Sequence, residues 1–215
     1  MTTTAKPTVI YPERDGRPMA DNTLQFRWIV LIKENLEWLF AERSDVFVAG
    51  DLLWYPVEGH PEIRTAPDVM VVFGRPKGER GSYRQWEEDN IPPQVVFEIL
   101  SPGNRLTEMV KKLDFYERYG VEEYYIYDPQ INEGSGLVRR GLELEPLESL
   151  DGWVSPRLGI RFACQPDELV IYTPTGERFK TMVEWVQQVE QERQRAERLA
   201  AYLRSQGIDP EKIDG

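Results

Sequence analysis

The chain has 215 residues, a formal net charge of −11, 40% hydrophobic and 11% aromatic residues, one histidine and one cysteine. This composition gives one folded domain with an appendage; it excludes zinc centres of the His/Cys type and a disulfide framework. The acidity argues against tight non-specific binding of nucleic acid, which Lys and Arg drive, but not against a nuclease, whose carboxylates bound metal offsets.

Residues 1–20 hold Pro7, Pro12, Gly16 and Pro18 without periodicity and read as a flexible N-terminal arm. The start, Met1 to Pro7, has no signal-peptide apolar core, and no apolar run approaches the roughly 18 residues of a membrane span. A cytoplasmic protein with no membrane association is expected. Asp21 or Asn22 caps a first helix running to about Glu42, with Leu24, Trp28, Leu31, Leu36, Leu39 and Phe40 at helical spacing. Val46–Val57 and Ala66–Phe73 follow as strands. His60, between them in Val57-Glu58-Gly59-His60-Pro61, belongs to a turn and leaves a Ser-His-acid triad without its base.

Gly74–Pro93 is a long polar connection. Its Gly74-Arg75-Pro76-Lys77-Gly78 lacks the Gly-Lys-Ser/Thr ending of a phosphate loop. Arg75, Lys77, Arg80 and Arg84 make it the most basic cluster, read as a solvated loop, with Tyr83 and Trp86 as material for a lid. Gln94–Leu100 is a third strand, Asn104–Tyr119 a helix and Glu122–Tyr127 a fourth strand. Leu137–Pro146, Ile160–Cys164 and Leu169–Tyr172 are short strands that extend or cover the sheet. The last element, Phe179 to about Gln206, is one long polar helix. Its Met182, Val186, Val189, Arg193, Ala196, Ala200 and Leu203 alternate in steps of four and three, a heptad seam open to self-association or a protein partner. The fold class is α/β, in the α+β sense of a mixed sheet. The domains are the arm 1–20, a main domain 21–175 and a C-terminal helix 176–215 with coiled-coil character.

Two acids stand out. Asp68 opens the apolar run Val69-Met70-Val71-Val72-Phe73, and Glu98 interrupts Val95-Val96-Phe97-Glu98-Ile99-Leu100. A buried unpaired charge costs several kcal/mol, so each carboxylate needs a partner. If the two strands pair antiparallel, the start of one lies beside the end of the other and the two acids become neighbours. A lysine two residues after Glu98 would share its face, but that position is Leu100. The following helix supplies one instead: three strand residues back from Ser101 are about 10 Å, and eight helical residues from Asn104 to Lys112 are about 12 Å. A helix folded back over its strand therefore returns Lys112 to the level of Glu98.

Asp68, Glu98 and a backbone carbonyl such as that of Ile99 form an oxygen donor set for Mg²⁺ or Mn²⁺. The ion would polarise a phosphate and acidify water, while Lys112 orients that water or stabilises charge on phosphorus. Asp68, Glu98 and Lys112 are thus the expected catalytic residues, with Asp68 and Glu98 as metal ligands. Asp51 and Glu34 are further acids that the fold could bring close.

The runs Pro67-Asp68, Phe97-Glu98-Ile99-Leu100-Ser101-Pro102-Gly103-Asn104, Lys112-Leu113-Asp114-Phe115-Tyr116 and Tyr119-Gly120-Val121-Glu122-Glu123-Tyr124-Tyr125-Ile126-Tyr127-Asp128-Pro129 resemble the Uma-two (Uma2) family. That bacterial group is labelled as restriction endonucleases within the PD-(D/E)XK nuclease superfamily. The resemblance spans about residues 24–173. It implies a restriction-endonuclease-like core in the order helix, three strands, helix, strand, with Asp68 and Glu98 as the metal-binding acids. Leu100 departs from the superfamily lysine, and Lys112 matches the helical lysine that replaces it.

The leading expectation is a Mg²⁺-dependent endonuclease acting on DNA, as a homodimer because duplex cleavage takes two sites. The rival is a catalytically inactive nuclease-fold module in protein or nucleic-acid binding, with the C-terminal helix as its contact surface. A phosphoesterase for another substrate shares the same site.

Overall fold

A computed structural model of the chain describes residues 9–14, 16, 20, 22–207 and 209. The chain divides into two compact units, Met1–Phe179 and Lys180–Gly215. In chain order the first unit runs α1 (Thr23–Leu39), β1 (Val46–Gly50), β2 (Trp54–Tyr55), β3 (Val69–Phe73), β4 (Tyr83–Arg84), a 3-10 turn (Gln85–Glu87), β5 (Val95–Ile99), α2 (Leu106–Arg118), β6 (Glu123–Asp128), β7 (Glu133–Arg140), β8 (Glu143–Pro146), β9 (Arg161–Cys164) and β10 (Leu169–Tyr172).

Helix α1 begins where the Asn22 side chain accepts the Gln25 amide at 2.9 Å. The other candidate cap, Asp21, lies outside the described residues, as does much of the N-terminal arm. Trp28, Ile29, Ile32 and Leu36 recur along one side of α1 and are buried. They pack with Val69, Val71, Val95, Phe97 and Ile99 in one core. The alternate residues Met70, Val72 and Val96 join a second core with Phe47, Trp54, Tyr83, Tyr116 and Tyr124. Alternation along a strand sends successive side chains to opposite faces. A sheet covered on both faces therefore needs central strands that are apolar on both sides, as β3 is and as β5 is except at Glu98.

The six-stranded sheet has the order β1-β3-β5-β6-β7-β8. Pairs β1–β3 and β3–β5 are antiparallel, and β5–β6 is parallel. A parallel pair needs a crossover, and α2 provides it. Within the main sheet the expected order of helix, three strands, helix and strand is present.

Three expectations change. The single strand Val46–Val57 is two, because Asp51 has a left-handed φ of 47° that ends β1. Beyond it β2 pairs in parallel with β4 in a separate small sheet. The strand Leu137–Pro146 is a hairpin of β7 and β8, turned at Gly141 with φ 64°. Finally, the Gly74–Pro93 connection is solvated along much of its 74–81 stretch, but two of its arginines are not. Arg75 and Arg80 converge on Glu88, at 2.8 and 2.6 Å, with 13–15% of each side chain exposed. Lys77 donates to the carbonyls of Phe40 and Ala41, 2.7 Å each. These cations are committed to the fold. Tyr83 is buried and donates to the Ile91 carbonyl at 2.7 Å, so it is core rather than lid.

The second unit is α3 (Met182–Ser205), which opens with a reciprocal capping box between Thr181 and Glu184. No described helix is long and apolar enough to cross a membrane.

Arg139 on β7 anchors the end of α2. Its guanidinium donates to the carbonyls of Glu117 at 2.6 Å, Val121 at 2.8 Å and Leu142 at 2.7 Å. Arg139→Ala should lower stability by about 2–3 kcal/mol, because it strands helix-end carbonyls. Arg139→Lys should recover part of the loss, and urea denaturation measures both.

Candidate active site

Strand register places the acids. Val69 lies opposite Phe97, so one step outward Asp68 faces Glu98. Gly50 lies opposite Val69, and the amide of Asp51 donates to the carbonyl of Asp68 at 3.2 Å. Asp51, Asp68 and Glu98 thus form a row across the ends of three neighbouring strands. Asp68 and Glu98 follow the phase of Met70 and Val96, which puts them on the face covered by α2. Both are buried, 8% and 3% exposed.

Helix α2 brings the counter-charge. Lys112 Nζ stands 2.6 Å from Glu98 Oε2. One turn later on the same helix face, the Tyr116 hydroxyl donates to Glu98 Oε1. Asp68 Oδ2 accepts the Ile99 amide at 2.6 Å. On the neighbouring strand Tyr124 is buried, and among the described residues its hydroxyl has no hydrogen-bond partner. The Ile99 carbonyl accepts Gln25 Nε2 from α1 at 2.8 Å.

Electrostatics follow from this packing. Burial pushes the Asp68 carboxyl up to about 8, and the nearby Glu98 charge adds to the rise; Lys112 and the Ile99 amide offset part of it. Asp51 contributes a smaller upward push. Burial alone would lower the Lys112 amine, but Glu98 and Asp68 more than compensate and hold it above its ordinary value. Burial raises the Tyr116 and Tyr124 hydroxyls far enough to keep both protonated, and Glu98 adds to each rise.

The structure therefore brings Asp68, Glu98 and Lys112 together. Asp51 lies within electrostatic reach of Asp68. Glu34 does not join them: it sits on α1, which covers the opposite face, and pairs with Lys33 at 3.0 Å. Sequence reasoning missed Tyr116, Tyr124 and Gln25. Tyr116 is legible in retrospect as the residue one turn beyond Lys112. Tyr124 shares the strand phase of Ile126, which pairs with Glu98. Gln25 carries no local signal.

Two carboxylates and an unpartnered buried hydroxyl fit a hard divalent cation, which takes oxygen donors. Among the described residues no group of three His, Cys, Asp or Glu side chains is close enough to hold one. Lys112 already stands at Glu98, and the Ile99 carbonyl serves Gln25, so the donors are two acids rather than a closed cage.

The raised Asp68 carboxyl sets a pH dependence. Its native value lies above the ordinary 3.8, so the native state holds a proton that the unfolded chain has lost. That contribution is complete below the ordinary value and disappears as pH rises through about 8. In chelator, Asp68→Asn should be more stable than the parent at pH 8–9, with the difference shrinking toward pH 4. Thermal unfolding across that range checks the sign.

No curated protein matches the chain. Among solved structures it is similar to a protein from Anabaena variabilis ATCC 29413, described as "a putative nuclease belonging to DUF820". The TM-score is 0.45 and the identity 15%, over 66% of this chain and 79% of that one. The model of the Uma2 family, described as "Putative restriction endonuclease", matches residues 25–160, well over half of the 215 residues, and the chain belongs to that family.

Proposed function

We propose that this protein is a Mg²⁺- or Mn²⁺-dependent endonuclease that hydrolyses phosphodiester bonds in DNA, acting in the cytoplasm as a homodimer. The observation that carries the reading is the cross-strand pair Asp68–Glu98 on a buried face, with Lys112 Nζ 2.6 Å from Glu98. The family's description as a restriction endonuclease supports nucleic acid as the substrate class. Two sites are needed to cut two strands, hence the dimer.

Asp68 and Glu98 would hold the ion, which when bound polarises a phosphate and makes water acidic enough to supply a nucleophile at neutral pH. The protein's own groups do the rest. Tyr116 fixes the orientation of the Glu98 carboxylate. Lys112 remains charged and has a flexible stem, so it can turn from Glu98 toward negative charge developing on phosphorus. The Tyr124 hydroxyl, without a hydrogen-bond partner among the described residues, is a donor available to water or to a phosphate oxygen.

A second reading, a binding module with an inactive nuclease fold, is favoured by one observation: Leu100 stands where the superfamily lysine is expected, and Lys112 already neutralises Glu98. Nicking of supercoiled plasmid decides between them. The parent should nick only with Mg²⁺ or Mn²⁺, and Asp68→Ala and Glu98→Ala should each lose activity on the order of 100-fold or more. Lys112→Ala should lose nicking yet still bind Mn²⁺. If the parent neither nicks nor binds Mn²⁺, the binding-module reading stands.

Metal binding should also depend on pH. Asp68 must release its proton to act as a ligand, so Mn²⁺ affinity should rise about tenfold per pH unit as pH approaches about 8. Isothermal titration of the parent measures this, and a flat profile would exclude Asp68 as a ligand.

A further inference from the structure

A helix of 24 residues is ordinarily held by packing one apolar face, yet α3 has no buried residue. Met182, Val186 and Val189 are 67%, 61% and 62% exposed, and they lie on the heptad seam that continues through Arg193, Ala196 and Ala200. A face of this kind calls for an occupant, and two features of α3 identify it.

The first is charge. From Met182 to Glu192 the helix carries Glu184, Glu190 and Glu192 and no Lys or Arg. From Arg193 to Arg204 it carries Arg193, Arg195, Arg198 and Arg204 against a single acid, Glu197. The macrodipole favours acids at the start and bases at the end of any helix, but only within the first and last turns. Here the division runs the full length. One half of α3 is complementary to the other half of an inverted copy.

The second is size. In an inverted pair with a–d layers, Met182 faces Ala200 of the second copy, Val186 faces Ala196 and Val189 faces Arg193. Large residues meet small ones in two layers, and each Arg193 lies over a valine, between Glu190 and Glu192 of the other helix. A parallel pair would stack Arg193 on Arg193 and leave alanine facing alanine twice. Within one copy Arg193 pairs with Glu190 and Glu197, at 3.0 and 3.2 Å, contacts that exposure makes easy to exchange.

We infer that α3 pairs antiparallel with α3 of a second copy of this chain, through the seam from Met182 to Ala200. The pairing holds whether or not the protein cuts DNA, so a failure of nicking leaves it untouched.

Sedimentation equilibrium of the full chain should give twice the 25.1 kDa of one copy. Val186→Glu with Val189→Glu should return it to 25.1 kDa. Direction is read by cross-linking in a Cys164→Ser background, since Cys164 is exposed. Met182→Cys and Ala200→Cys should each fail to form a disulfide dimer alone and should form one when co-expressed. A monomeric parent overturns the inference, as does a dimer that survives the double glutamate variant. Self-cross-linking of each cysteine variant alone shows a parallel pair and overturns it too.

Discussion

Everything at the site depends on placing two carboxyl groups next to each other under a helix, so that one of them keeps its proton well above the ordinary carboxylate range. Asp68 and Glu98 face one another across the last step of the β3–β5 ladder, where water is scarce and repulsion is poorly screened. A single ammonium and a single phenol, four residues apart on α2, make the arrangement tolerable. The parallel β5–β6 crossover exists to bring that helix back over the strand ends. Arg139 fastens its far end to the edge hairpin, so the sheet, the crossover and the anchor all serve one small cluster of charge.

Much of this was legible in the sequence because strands obey a period of two. An acid inside an apolar run has to point somewhere covered, and the antiparallel pairing of two such runs then settles which acids meet. Lys112 could be placed from helix rise alone. What escaped was set by contacts distant in sequence. Nothing in Val46–Val57 reveals that Asp51 turns left-handed, because the carbonyl that receives its amide belongs to Asp68 on another strand. The arginines of the 74–93 connection look solvated until Glu88 is seen gathering two of them. Gln25 reaches Ile99 from the opposite face of the sheet, a contact no local pattern encodes.

The committed arginines bear on how a polyanion would approach. With a net charge of −11 and two arginines of its most basic loop paired to Glu88, that loop offers little attraction to a polyanion. For the proposed endonuclease, productive contact would then be short-ranged, made where a bound cation would offset the paired acids.

The position of the lysine has a consequence of its own. A lysine two places along the strand from Glu98 would keep its spacing by covalent geometry, since a pleat hardly varies. Lys112 keeps its distance only through the seating of a helix on a sheet, where Tyr116 meets Tyr124 edge to face and lies parallel to Trp54. The charge alignment is thus set by aromatic shape. A methyl group too many or too few in that layer would shift the ammonium relative to Glu98 while every charged residue stayed in place.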